Sequence, residues 1–362
     1  MYIGWGLRRD VALSICGITR HQYYYEKSNG KGGVKPSTHT YQIDSQGSVV
    51  EVNNEKVIED VVEIKSNPET DYRYRAMTAA LMLRGYMINH KKVYRLMREY
   101  QLLHSRAPSK KRRYVKYRKV NPTRPLEILE MDIKFQWVSQ HCRYAFILTI
   151  IDTFTRKTLA WTVAYSIRQD QVKQIWDEFI TNFLQPAGLL AKNLLVQVRN
   201  DNDSRFVAKS VQQYFAQNHL DQVFTHPYTP QENGHIESFH AILSRSLARK
   251  EFATLAGLEK HLELFYASYN DIRVHGSLDH LPPTLFWNLW SRNLIQRTEK
   301  KFNRVVFRLK VPHYLLLGNG NLREVSSLPA KAGTLNRFYK EVDGAISLQQ
   351  PLVQRQPSVV SS

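Results

Sequence analysis

LEMDIKFQW (129–137) decides the fold. Its odd positions, Leu129, Met131, Ile133, Phe135 and Trp137, are apolar, and its even positions, Glu130, Asp132, Lys134 and Gln136, are polar or charged. A period of two is the signature of a β-strand, and it puts Asp132 on the face opposite the apolar stripe. Next, YAFILTIID (144–152) is apolar throughout, as expected of a strand buried on both faces. KTLAWTVAY (157–165) follows after a short turn, so three antiparallel strands are expected. The pattern then changes to helical in RQDQVKQIWDEFITNFL (168–184), with Val172, Ile175, Trp176, Phe179 and Phe183 on one face. LLVQV (194–198) reads as a fourth strand running into Arg199, Asn200 and Asp201. A helix at 206–218, a short strand near QVFTH (222–226) and helices at 232–250 and 255–272 complete the segment.

Three strands followed by alternating helices and strands predict an α/β fold, a mixed five-stranded RNase H-like sheet flanked by helices. Upstream, residues 8–27 read as two short helices. Val11, Ala12 and Ile15 give the apolar face of the first, Cys16-Gly17-Ile18 the turn, and Thr19 the N-cap of the second. SNGKGGVKPSTHT (28–40) reads as a linker. Helices are expected at 54–66, stopped by Asn67-Pro68, and at 73–84, with Met77, Leu81 and Met82 on one side and Gly85 as the stop. Asn89 is placed to cap HKKVYRLMREY, where Val93, Leu96 and Met97 face inward and Lys91, Lys92, Arg95 and Arg98 outward. Helix, glycine turn and capped basic helix is the pattern of a helix-turn-helix that enters a major groove; an ordinary helical hairpin with a solvated basic face fits the same residues. The tail, 302–348, loses helical periodicity, and VVFRLKVPHYLLL and GAISLQQ suggest a small basic β module before PLVQRQPSVVSS, read as disordered.

Of the 362 residues, 51 are Lys or Arg and 32 Asp or Glu, a net charge of +19, but the distribution says more than the total. Residues 1–124 carry 24 basic against 11 acidic side chains, 125–290 carry 15 against 17, and 291–362 carry 12 against 4. A near-neutral centre between basic arms suits a body held on a polyanion by its ends. Within 104–124 lie nine Lys/Arg, two Tyr and no acid, among them Lys110, Lys111, Arg112, Arg113, Lys116, Arg118 and Lys119. Such a run repels itself into extension and suits contact with phosphates, although a nuclear-localisation signal would look alike. The only cysteines, Cys16 and Cys142, lie far apart, which excludes a disulfide framework or zinc finger and fits a reducing cytosol. No apolar run approaches the ~20 residues of a membrane helix. The start, broken by Arg8, Arg9 and Asp10, does not read as a signal peptide.

Asp132, Asp201 and Glu237 then stand out as a set. Each lies where an α/β sheet can bring it to a common edge: a strand face, the carboxyl end of a strand, and a helix after the loop HPYTPQENG (226–234). Glu237 borders the stripe Ile236, Phe239, Leu243 and Leu247, where an acid is costly to desolvate unless a metal or base compensates. Exchanging a phosphodiester needs relief of phosphate charge at both attacking and leaving oxygens, which two Mg²⁺ ions about 3.5–4 Å apart provide. Hard carboxylate oxygens are the ligands such ions take. The bland alternative is three unrelated surface acids. The helix start stays open between TPQE as a capping box and Asn233 as a later cap.

EMDIK, RNDNDSRF, HPYTPQENGHIESFH and YNDIRVHGSLDHLPPTLFW together resemble the integrase core of DDE transposases from bacterial insertion sequences, and ICGITRHQYYY with YRYRAMTAALMLRGYMINHKKVYRLMREYQL resembles the helix-turn-helix region preceding it. The resemblance covers about 8–290. Together with the charge distribution above, it divides the chain into a short helix-turn-helix-like segment (1–30), a helix-turn-helix domain (50–103), a basic linker (104–124) and an integrase core (125–290), followed by a basic, partly disordered C-terminal region (291–362) that the resemblance does not cover. It also implies that Asp132, Asp201 and Glu237 are a catalytic, metal-binding triad using two Mg²⁺, or Mn²⁺, for donor cleavage and strand transfer. DNA, both terminal inverted repeats and target, is the implied partner, with Asn233 and Arg245 joining the basic residues above in contacting it. A homo-oligomer on DNA, an upstream-frame partner or frameshift fusion, and a bacterial cytoplasmic, nucleoid-associated location are implied as well. A DNA-binding regulator with an inactive core is the alternative. Three departures from the family pattern are Asp203 where Gly is usual, Ser244 where Lys or Arg is frequent, and Leu129 where many members have Trp. Asp203 is expected to tolerate a left-handed turn and to compete for metal.

Overall fold

The computed structural model describes residues 3–25, 36–105, 120–189, 195–226, 230–300 and 304–323, and the chain forms two compact units, 1–38 and 39–362. The first unit holds α1 (Arg9–Ile15) and α2 (Arg20–Tyr23). Thr19 caps α2 in a capping box with Gln22, and Arg20 meets Asp10 at 2.7 Å. The apolar face departs from the reading: Ala12 and Leu13 are buried, whereas Val11 and Ile15 are exposed. Helical spacing identifies a stripe but not which edge of it a second element of four residues can cover.

The second unit begins with strand β1 (His39–Ile43), which overlaps the last two residues of the expected linker and was not read from the sequence, paired with β2 (Val49–Asn53). Helices α3 (Asn54–Ser66) and α4 (Tyr74–Leu83) follow, then β3 (Tyr86–Met87) and α5 (His90–Glu99). The two-residue β3 pairs with β1, giving the order β2-β1-β3, so the turn between α4 and α5 is stitched to the hairpin. Gly85 sits at φ +93°, and a Cβ there would stand 2.5 Å from the Ile43 carbonyl oxygen, so both conformation and space demand glycine. Asn89 caps α5 through Lys92 N, and Val93, Leu96 and Met97 are buried against α3 and α4, as read from the sequence.

The central sheet comprises β4 (Ile128–Val138), β5 (Arg143–Asp152) and β6 (Thr158–Ala164), all antiparallel. Helix α6 (Gln169–Phe179) runs into a π-helical turn at Ile180–Leu184 and leads to β7 (Val196–Asn200), parallel to β4. The expected helix at 206–218 is two pieces, α7 (Ser204–Val207) and α8 (Lys209–Gln217), broken where Ala208 turns extended at ψ 131°. Strand β8 (Leu220–Phe224) closes the order β6-β5-β4-β7-β8. Helices α9 (Gly234–Leu247) and α10 (Leu255–Asp271) cover one face, while α6 and α8 cover the other. Leu129, Met131 and Ile133 point into the α6/α8 core, but Phe135 and Trp137 on the same stripe are 50% and 45% exposed, because β4 outruns the helices. Trp161 stacks on Tyr266 at 4.7 Å, fastening β6 to α10.

After α10, α11 (Pro283–Ser291) and the antiparallel pair β9 (Ile295–Lys300) and β10 (Arg304–Leu309) share one cluster with Phe154, in which Leu285, Phe286, Leu289, Ile295 and Phe307 are buried. That cluster crosses the boundary placed at 290. GAISLQQ and the last twelve residues lie outside the described residues. His275, in the turn after α10, stacks edge-on against Tyr269 at 4.8 Å, and burial, followed by the charges of Arg273 and Arg156, pushes its pKa down to about 3. The unfolded chain therefore binds a proton below about pH 6.5 that the folded chain refuses, so stability is complete at neutral pH and falls as pH drops from 6.5 towards 3, at up to about 1.4 kcal/mol per unit. His275→Gln is expected to flatten this acid limb in urea unfolding series; an unchanged slope would remove His275 as its source.

Candidate active site

Asp132 sits in mid-β4 on the α9 face, its Oδ1 accepting from Ile133 N at 2.7 Å. In the parallel register Glu130 lies opposite Arg199, the last pair of the β4–β7 ladder, and Asp201 follows just past the end of β7. Asn200 holds that corner: Gln222 donates to its side-chain oxygen at 3.0 Å and Thr225 N to its carbonyl at 3.0 Å. Glu237 occupies the first turn of α9, and Ile236, Phe239, Leu243 and Leu247 anchor the helix beside it. Burial first, then the charge of Asp132 and that of Asp203, raises the Asp201 pKa against an opposing bond from Asp203 N. Burial first, then the charges of Asp132 and Glu130, raises that of Glu237. Asp132 is thus close enough to repel both partners. Among the described residues, however, no three His, Cys, Asp or Glu side chains are gathered tightly enough to enclose an ion.

Mutual repulsion of hard oxygens is what a divalent cation relieves, and carboxylates are the ligand type that Mg²⁺ and Mn²⁺ take, but the three are not gathered around one point in this structure. Asp203 is itself tied down. Its backbone is at φ −60°, ψ 137°, so the position needs no glycine. Its carboxylate caps α7 through Arg205 N and accepts from Arg205 Nε and Nη2 at 2.7 and 2.5 Å, which lowers its pKa. The expected left-handed turn is corrected, and the side chain is engaged by Arg205.

Three residues around the triad were not singled out from the sequence. His240, one helical turn after Glu237, places Nδ1 3.3 Å from Asp132 Oδ2, while its buried Nε2 has no hydrogen-bond partner. Glu130 is fully buried, with His235 Nδ1 2.8 Å from Oε1 and Ile236 N donating to Oε2 at 2.7 Å. A second acid two residues before Asp132, on its face, was the available signal for Glu130; His240 shares the face of Glu237 by helical spacing.

The nucleic-acid candidates divide. Lys91 and Arg98 are exposed on α5, and Arg245 on α9. Lys92 is turned inward, its ammonium on the His39 carbonyl, and burial followed by the Arg95 charge lowers its pKa to about 8. Arg95 is half-buried beside Glu99 at 3.7 Å. Both depart from the outward orientation read from helical spacing, because β1 and the rest of the fold crowd that edge. Asn233 is buried at the N-cap position of α9, the later of the two helix starts left open by the sequence, and makes no side-chain cap there. Lys110, Lys111, Arg112, Arg113, Lys116, Arg118 and Lys119 lie outside the described residues.

Two integrase core domain models match residues 122–230 and 218–283, and an HTH-like domain model matches 52–113. The chain carries an integrase core. It is 26% identical over 217 residues to an uncharacterized insertion element IS476 protein of Xanthomonas euvesicatoria, spanning 59% of this chain and 60% of that relative. It is 25% identical, again over 59% of its length, to an uncharacterized IS407 protein of Burkholderia multivorans, spanning 75% of that protein. Among solved structures the integrase core is similar to a Mos1 transposase catalytic domain determined with raltegravir and Mg, at 14% identity, covering 40% of this chain and 72% of that one with a TM-score of 0.35. No helix among the described residues is long and apolar enough to cross a membrane.

Proposed function

We propose that the chain is a transposase that cuts DNA at the ends of an insertion element and joins the freed 3′-hydroxyl to target DNA, with Asp132, Asp201 and Glu237 as its catalytic, metal-binding carboxylates. The observation that carries this reading is geometric: β7, which ends at Asn200 just before Asp201, runs parallel to β4, and His240, one turn after Glu237 on α9, stands 3.3 Å from Asp132 on β4, all within an integrase core. Two Mg²⁺ or Mn²⁺ ions held there would neutralise phosphate charge and activate the attacking hydroxyl. His240 steadies the Asp132 carboxylate from the buried side of α9. Arg205 keeps Asp203 from competing, which disfavours an inactive regulatory core.

The partners in this reading are the element's terminal repeats, target DNA, a second copy of the chain on DNA, and the product of an upstream frame or a fusion carrying it. The test is incubation with linear DNA ending in the inverted repeats that flank the gene. Joined products that require Mg²⁺ are expected; nicks without joining would reduce the protein to a nuclease, and neither product would reject the reading. For α5, Lys91→Ala and Arg98→Ala are each expected to weaken DNA binding across sequences and to lower the salt slope by about 1. Lys92→Ala is expected to leave the slope unchanged, since its ammonium is spent on the His39 carbonyl. Fluorescence anisotropy across a salt series checks all three, and equal slopes for all four proteins would remove α5 from the interface.

A further inference from the structure

Glu130 is a buried carboxylate that the proposed chemistry leaves unused, and its contacts say what it does. Helix α9 continues directly from a 3₁₀ turn at Pro230–Asn233 and receives no side-chain cap from Asn233. A hydrogen-bond partner for its first turn comes from a different element: Glu130, on β4, accepts Ile236 N at 2.7 Å on one oxygen and faces His235 Nδ1 at 2.8 Å on the other. A carboxylate at that end also complements the positive pole of the helix. With both oxygens engaged by protein and no solvent exposure, it is not arranged as a further ion ligand. Glu130 and Asp132 are neighbours on one face of the strand, about 6.6–6.8 Å apart along it, and Ile236 directly precedes Glu237. A single side chain therefore ties the strand bearing one proposed ligand to the turn bearing another.

We propose that Glu130 is a positioning residue that fixes the start of α9 on β4 and thereby sets Glu237 against Asp132. This rests on the carboxylate reading above for its consequence, but not for the tether itself. Glu130→Ala removes both bonds. Glu130→Gln keeps a carbonyl for Ile236 N and offers an amide to His235 in its other tautomer.

The test measures three things on the full chain: amide exchange of the first α9 turn without metal, Mn²⁺ affinity by calorimetry, and thermal stability. In Glu130→Ala, faster exchange at Ile236 and Mn²⁺ binding about 10–100-fold weaker are expected, the usual loss when an outer-shell partner is removed. Glu130→Gln should recover most of both. A folded Glu130→Ala protein with wild-type exchange and Mn²⁺ affinity would overturn the proposal, as would one that is merely less stable. If Glu130→Ala does not fold, Glu130→Asp, one methylene too short to reach both partners, is held to the same criteria. Asp201→Asn belongs in the same titration. Full Mn²⁺ affinity in that variant would mean the carboxylate reading had failed, and exchange, which needs no ion, would then decide the tether alone.

Discussion

Asp201→Asn is expected to abolish both cleavage and joining, by a factor of at least about 10²–10³, while leaving DNA binding near wild type. Its carboxylate, at the end of β7, is one of the two that the Asp132 charge repels, and an amide there cannot serve as an anionic ligand. The stability consequence has the opposite sign. In ion-free buffer the ionised Asp201 is disfavoured by burial and by Asp132 and Asp203, so removing its charge relieves repulsion and should leave the melting temperature unchanged or higher. Divalent ion reverses the order, because the wild type gains about 2.7 kcal/mol at a hundredfold excess over its dissociation constant and the variant does not. Melting curves with and without Mn²⁺, run beside the joining assay, separate a lost ligand from a damaged fold. Full activity in Asp201→Asn would reject the site.

Trp176→Ala carries the largest expected stability loss. Its side chain is fully buried, meets Phe179 and Phe215 edge-on at 5.2 and 5.0 Å, and donates its indole N–H to Met131 Sδ at 3.1 Å. It thereby joins α6, α8 and β4 under the sheet, and three elements cannot all collapse into the vacated space. Truncation should cost about 3–5 kcal/mol. That is a large fraction of the 5–15 kcal/mol typical of a domain, so the midpoint of urea unfolding should fall sharply with little change in slope. Met131 points away from the Asp132 face, so folded Trp176→Ala at low temperature should keep its ion affinity. A midpoint shift worth less than about 1 kcal/mol would show that the site repacks, in contrast to the usual large-to-small loss.

The sheet was legible in the sequence because LEMDIKFQW alternates and YAFILTIID is apolar without a break, the marks of a strand with one buried face and of one buried on both. Periodicity assigns a face, but it does not say what covers that face. Phe135 and Trp137 obey the stripe and are half exposed where β4 runs past α6 and α8, whereas Glu130 obeys the polar face and is fully buried under the start of α9. The same limit explains Lys91 and Lys92: one remains outside, while its neighbour meets β1, a strand hidden at the end of a Gly- and Ser-rich stretch. The break at Ala208 has no glycine or proline to announce it. Asp132, Asp201 and Glu237 were singled out as candidates from local features, an alternating strand, a strand end and a helix after a turn. Their supports, Glu130, His235 and His240, act through contacts across 105, 106 and 108 residues, where the sequence pattern shows only unremarkable polar side chains.

Anomalous scattering from crystals soaked in Mn²⁺ tests the central claim most directly. The carboxylate assignment expects manganese peaks bound by Asp132 together with Asp201 and Glu237, lost in Asp201→Asn. Ions bound only elsewhere, with these three carboxylates bare in a protein that still joins DNA, would contradict it.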